Sequence, residues 1–232
     1  MAFAYSPKIV TDGLVFAVDA ANKKSYPGSG ITWSDLSVNG NNGTLTNGPT
    51  FDSGNGGSIV LDGTNDYIDF GNIGITLYCI DIWYYLTSEI TGASGFKPFF
   101  RFSNQGVQEG VGFGAVTGFL SNETLTMLGQ TPGYERTGIF DVIPSGWNNF
   151  VFNWNGSNYD IFLNSSQKTV SYGTANSGHV SLISSTGFYL GQGYQSSQIG
   201  DGKFSSTKIY NKALSSTEIS QNYNALKSRF GL

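Results

Sequence analysis

Carboxylates in turns and aromatic residues on strands are the groups in this chain whose types and spacing could do chemistry. Asp62, Asn65 and Asp66 fall in the turn Asp62-Gly63-Thr64-Asn65-Asp66, and Asp201 stands before a late strand. Hard cations such as Ca2+ take the carboxylate and carbonyl oxygens that Asp-Gly turns supply, so these four are the expected metal ligands. The competing expectation is that they are ordinary turn residues bonding their own backbone. On the strand-like run Tyr78 to Leu86, Asp81, Trp83 and Tyr85 share one face. A shallow glycan site needs aromatic faces for sugar C–H surfaces beside planar polar groups for hydroxyls. Asn149 and Asn153 join that face if their strand lies in the same sheet, and Arg101 is a further polar candidate. Tyr134 and Tyr194, each beside a Gly in a loop, are a second aromatic pair. The opposing expectation is that Trp83 and Tyr85 fill the interior, where strand aromatics more often sit.

Catalytic constellations are missing where they would be looked for. Retaining glycosidases hold two carboxyl groups about 5 Å apart on one face. Glu89, Glu109, Glu123, Glu135 and Glu218 never occur close enough together to share a strand face. His179, the sole histidine, lies in the polar stretch Ser177 to Ser181 and reads as a loop residue rather than a triad base. Cys79 is alone, which excludes an internal disulfide, and its apolar run reads as a buried small hydrophobe. Asn-x-Ser/Thr sequons at Asn42, Asn122, Asn155 and Asn164 read as turn composition.

These groups must be positioned by 232 residues, 39% of them hydrophobic, enough for one sandwich or barrel core. Charged residues make up only 12%, Gly numbers 32 and aromatics reach 15%, which fits a strand-rich and turn-rich protein. The net charge is −4, and the Lys and Arg form no run longer than Lys23-Lys24, so a nucleic-acid partner is not expected. No apolar run approaches the roughly 18 residues of a membrane span, and the first residues lack a secretion signal. The expectation is synthesis in the cytoplasm without export or membrane insertion.

Residues 1–12 read as an N-terminal arm or edge segment, and 13–232 as a single domain. Leu14 to Val18 is a short strand. Asn39-Gly40, Asn42-Gly43 and Asn47-Gly48 mark tight turns in a loop region pinned by Tyr26, Trp33 and Leu36. Ile59 to Leu61 and Tyr67 to Phe70, around the Asp62 turn, predict a β-hairpin. In Tyr78 to Leu86, Ile80, Ile82, Tyr84 and Leu86 are expected in the core. Phe150, Phe152 and Trp154 form one face of Asn148 to Asn155, which Asn155-Gly156 turns into a second hairpin with Tyr159 to Leu163. Weaker strands are expected at Pro98 to Phe102, Val111 to Ala115, Leu125 to Leu128, Thr137 to Val142, Lys168 to Tyr172, Gly187 to Leu190 and Gly202 to Tyr210. The spacing suggests an all-β sandwich.

One helix closes the chain. Ser215 and Glu218 form a capping box, Leu214 and Ile219 a hydrophobic staple, and Ile219, Tyr223, Leu226 and Phe230 an apolar stripe. That stripe is expected to lie against the sandwich.

Five separated blocks resemble the laminin-G-like, concanavalin A-like lectin/glucanase superfamily, in its bacterial and phage branch. They are Gly13 to Asp19, Trp33 to Leu45, the LDGTNDYIDFG stretch from Leu61 to Gly71, Trp147 to Leu163, and Phe204 to Leu226. Val38 departs from the pattern, which more often has Gly there. The resemblance implies a jelly-roll sandwich with a short C-terminal helix. Relatives often hold Ca2+ at the rim, which is what the resemblance adds to the Asp62 turn. Glucanases of this superfold carry E-x-D-x-x-E or E-x-D-x-E, and no Glu here has that spacing. Short chains with this ending look like tailed-phage virion proteins. The resemblance therefore implies a non-enzymatic capsid or tail surface protein, present in multiple copies or as a homo-oligomer beside other virion proteins, with cell-surface polysaccharide as a further partner. The alternatives are a freestanding carbohydrate-binding module and, third, a glycoside hydrolase without the usual motif.

Overall fold

Two antiparallel sheets face each other across an aromatic core, and the alternation of the strands decides which residues enter it. A computed structural model describes residues 8–91, 97–103, 110–113, 124–129, 135–172, 182–184 and 186–232. In chain order the strands are β1 Leu14–Asp19, β2 Thr32–Trp33, β3 Gly43–Thr46, β4 Thr50–Asp52, β5 Ser58–Asp62 and β6 Tyr67–Gly71. Next come β7 Cys79–Leu86, β8 Lys97–Arg101, β9 Gly110–Phe113, β10 Leu125–Gly129, β11 Glu135–Ile139 and β12 Gly146–Trp154. The last are β13 Tyr159–Leu163, β14 Ser166–Gln167, β15 Ser171–Tyr172, β16 Phe188–Leu190 and β17 Asp201–Tyr210, followed by helix α1, Ser216–Leu226. The first sheet runs β14-β13-β12-β7-β17-β5-β4, with β1 also on β17, and the second β15-β11-β10-β9-β8-β16-β6-β3-β2.

The even positions of β7, Ile80, Ile82, Tyr84 and Leu86, enter the main core with Phe150 and Phe152 of β12, as their parity predicts. Phe99 of the second sheet meets Phe150 and Phe204 of the first at 5.1 and 5.7 Å between ring centroids, so aromatic pairs stitch the layers together. The β12–β13 hairpin forms with Phe150 opposite Leu163 and Trp154 opposite Tyr159.

Two expectations change. β5 and β6 do not pair as a hairpin: β5 lies between β4 and β17 in the first sheet, and β6 between β3 and β16 in the second. The Asp62 turn therefore carries the chain across the sandwich, and Ile59 and Leu61 meet Ile68 and Phe70 in one core from opposite sides. Gly63 makes the crossing possible: its φ is +74°, and a Cβ there would lie 2.9 Å from Asp201 Cβ. In the Asn-rich loop Tyr26 and Trp33 are buried, but Leu36 is 40% exposed. The pin is instead Asp35, whose carboxylate accepts hydrogen bonds from the backbone N–H of Ala17, Ser37 and Asn41.

The capping box forms as read: the Ser215 hydroxyl accepts from Glu218 N–H, and the Glu218 carboxylate accepts from Ser215 N–H at 2.8 Å. No helix among the described residues is long and apolar enough to span a membrane.

Candidate functional site

Each sheet has an outer face, and the two faces carry similar residue types in different surroundings. On the first sheet, the odd positions of β7 point away from the main core. Asp81 and Trp83 are completely buried there, because α1 and the 3-10 turn Lys227–Phe230 lie over them. Trp83 stacks on Phe230 at 4.3 Å and on Tyr223 at 5.6 Å, both nearly parallel, and Trp147 packs on Phe230 at 4.6 Å. Arg229 pins this end of the chain through an ion pair with Asp19 at 2.8 Å and a hydrogen bond to the Gly57 carbonyl.

The polar residues of this face are equally enclosed. Asn149 Nδ2 donates to Asp81 Oδ1 at 2.6 Å, and Lys208 Nζ lies 3.6 Å from Asp81 Oδ2. Asn153 acts as a clamp, donating to the Leu214 carbonyl at 2.9 Å and accepting from Leu214 N–H at 2.8 Å, which fixes the approach to α1. Cys79 sits in a second apolar cluster with Val151, Phe162, Tyr210, Leu214 and Ile219, and burial pushes its thiol well above the usual value. The expected glycan platform of Asp81, Trp83 and Asn153 is thus the bed of the helix, and no ligand reaches Trp83 without displacing it. Tyr85, half-buried, meets Trp147 edge-on at 5.5 Å with Lys203 Nζ 5.0 Å from its ring.

Among the described residues no helix lies over the outer face of the second sheet. Asp69 on β6, Tyr189 on β16 and Arg101 on β8 are cross-strand neighbours in a row. Above them lies a cavity of about 340 Å3, also lined by Asn47, Asn65, Tyr67, Gln192, Ser196 and Ile199. Its volume is within the range of small-molecule sites, about 300 to 1,000 Å3. The Arg101 guanidinium lies 4.0 Å from the Tyr189 ring centre, and its Nη atoms donate to the Gly193 carbonyl and Gln192 Oε1, both at 2.9 Å. Arg101 is only 2% exposed, yet among the described residues its Nε–H has no hydrogen-bond partner. Burial draws its pKa down, and Tyr189 and Asp69 beside it act in the opposite direction. The Tyr67 and Tyr189 rings, 6.5 Å apart and tilted, form an aromatic wall, and Asp69 Oδ1 already accepts from Gly71 N–H.

The site therefore draws on Arg101 from the expected set and on Asn65 from the expected metal set. Tyr194 is half-exposed in the loop after β16 but does not line the cavity. Tyr134 lies outside the described residues, as does His179. Tyr67, Asp69, Tyr189 and Gln192 were missed. Parity marks the first two: Ile68 and Phe70 are buried, so Tyr67 and Asp69 must face outward.

The remaining metal candidates are occupied by local bonds. Asp62 Oδ1 accepts from Thr64 and Asn65 N–H, which lowers its pKa, while burial and the nearby Asp62 raise that of Asp66. Asp201 forms an ion pair with Lys97 at 3.0 Å and accepts from the Thr87 hydroxyl. Among the described residues no three His, Cys, Asp or Glu side chains converge as a metal site. A second cavity of about 450 Å3 opens between Asn39 and Asn41 of the Asn-rich loop and residues Ile73 to Thr76, and no charged side chain among the described residues lines it.

Residues 62–220 match the family model described as the concanavalin A-like lectin/glucanases superfamily. No curated protein is detectably similar in sequence. Among solved structures, domain 4 of AbnA, a GH43 extracellular arabinanase from Geobacillus stearothermophilus determined with arabinotriose, superposes with a TM-score of 0.64 at 18% identity. That match covers 90% of this chain and 98% of the domain. The Trypanosoma rangeli sialidase matches at 0.61 and 13% identity over 95% of this chain, which spans 34% of the sialidase. The binding domain of botulinum neurotoxin serotype D matches at 0.60 and 12% identity, over 91% of this chain and 51% of that one. At these identities the likeness is one of fold.

Proposed function

Since the chain belongs to the concanavalin A-like lectin/glucanases superfamily, we propose that it is a non-enzymatic carbohydrate-binding protein whose site is the cavity over Asp69, Tyr189 and Arg101. The observation that carries this reading is the row itself: an aromatic ring between a carboxylate and a buried guanidinium, one N–H of which has no partner among the described residues. The tyrosine rings suit the C–H faces of a sugar, and Asp69, Asn65 and Gln192 suit its hydroxyls. Among the described lining residues one carboxylate balances one guanidinium, which favours neutral sugars over acidic ones. Among the described residues Asp69 is the one carboxylate in the cavity lining, whereas glycoside hydrolysis takes a pair, which supports binding over catalysis. The sugar-bound arabinanase domain, similar in fold over nearly its whole length, is in keeping with that choice.

The test is a glycan array of neutral oligosaccharides, arabino-oligosaccharides included, followed by calorimetry on Tyr189→Ala. Loss of a central aromatic contact is expected to weaken binding by about tenfold or more. An array on which no neutral glycan binds, or a variant that binds as the parent does, sinks the proposal.

The finer setting is the surface of a tailed-phage particle, in multiple copies beside capsid or tail proteins, and it rests on the resemblance of the five blocks. Proteomics of purified virions tests it. If the protein is absent from the particles, the freestanding module replaces the virion reading and the glycan site stands.

A further inference from the structure

The buried pair Lys208 and Asp81 has no part in the glycan site and is poorly satisfied as an ion pair. Its side chains are 4% and 0% exposed, Nζ and Oδ2 are 3.6 Å apart, and neither atom has a hydrogen-bond partner among the described residues. Charges withdrawn from water need hydrogen bonds as well as each other to offset desolvation. The other carboxylate oxygen is held differently: Asp81 Oδ1 accepts from Asn149 Nδ2–H at 2.6 Å. Lys208 and Asp81 stand directly opposite each other on β17 and β7, and Cys79 and Tyr210, two residues further along, close the chamber beneath α1.

From this geometry we infer that Lys208 and Asp81 form an intramolecular isopeptide bond. Amide formation needs both groups neutral, and a medium closed to water favours neutral pairs over charged ones. The ammonium passes one proton to Oδ2, leaving an amine beside a carboxylic acid. The Nζ lone pair then forms the new bond to Cγ, and the C=O electron pair moves to Oδ1, where the Asn149 N–H stabilises the developing charge. The nitrogen gives a second proton to the Oδ2 hydroxyl, the C–Oδ2 bond breaks, and water leaves as the carbonyl re-forms. Nothing is oxidised or reduced. The 3.6 Å between Nζ and Oδ2 is the path of the proton, and it holds the amine beside the carboxyl group whose carbon it attacks. The product ties β17 to β7 in the middle of the first sheet, under the helix.

The test is the intact mass of the denatured full-length chain, with proteolytic mapping. The expected mass is that of the sequence less one water, with a branched peptide joining the segments that carry Lys208 and Asp81. Lys208→Arg keeps the positive charge and is expected to restore the full mass. An unmodified parent mass overturns the inference. So does loss of ammonia with a branch at Asn149, which would assign the bond to another carbonyl. An unbranched loss of water that persists in Lys208→Arg, such as a succinimide at Asp62-Gly63, overturns it too. The parent measurement decides the matter even if the variant fails to fold, and it is independent of glycan binding.

Discussion

The outer faces of the two sheets carry nearly the same chemistry. One presents Trp83, Tyr85, Asp81 and Lys208, the other Tyr67, Tyr189, Asp69 and Arg101. The first is sealed beneath α1 and the Lys227–Phe230 turn, so Trp83 stacks on Tyr223 and Phe230, and Asp81 faces Lys208 rather than solvent. Among the described residues no helix covers the row on the second, and it floors a cavity of about 340 Å3. Aromatic and ionic residues on a strand therefore do not distinguish a binding platform from the floor of a helix. The element laid over them does.

The contrast can be broken most severely by ending the chain at Ser215. This uncovers Trp83 and Trp147, and the expected outcome is loss of cooperative unfolding and of soluble product, read by near-ultraviolet circular dichroism. A truncated chain that stayed folded would refute the role of the helix as part of the core. Trp83→Ala removes the centre of the stack and is expected to cost about 3–5 kcal/mol. Glycan affinity per folded molecule should not change, because Trp83 is far from the open cavity in the fold. Asn153→Ala cuts both bonds to Leu214 and is expected to lower stability by about 1–3 kcal/mol, seen as a lower urea midpoint at constant slope.

Acid gives a smaller effect on the same face. The Lys212 ammonium and the Ser215 N–H hold the Glu218 carboxyl down at about 2, against an ordinary 4.5. A carboxylate with a lowered folded pKa contributes stability that is complete above its unfolded value and is lost as pH falls through its folded one. The melting temperature should therefore fall between about 4.5 and 2 by more in the parent than in Glu218→Gln, and equal slopes would contradict the capping role. Tyr189→Ala on the open face should disturb stability least, by about 1 kcal/mol for the lost cation–π contact, while weakening glycan binding. A variant that lost folding and binding together would erase the distinction between the faces.

Much of the architecture was readable from local pattern. Period-two alternation placed Ile80, Ile82, Tyr84 and Leu86 in the core, and Asn155-Gly156 turned β12 into β13. The Ser215 and Glu218 pair marked the start of the helix because capping involves groups only three residues apart. The Asp62 turn was recognised as a turn, but its flanking strands went to different sheets, because pairing partners are chosen by distant segments such as β17 and β16. The apolar stripe of α1 and the aromatic face of β7 were each visible as separate patterns. Nothing local in either stated that they cover one another.

By itself, then, the sequence determined which residues alternate, turn and cap, since those properties depend on neighbours within a few positions. Only the tertiary structure decided which of two chemically similar faces stayed open. Tyr189, Arg101 and Asp69 come from strands joined by long-range pairing, and Trp83 is closed by residues at the far end of the chain. Contacts of that range depend on the packing of the whole chain, and no periodicity along it encodes them.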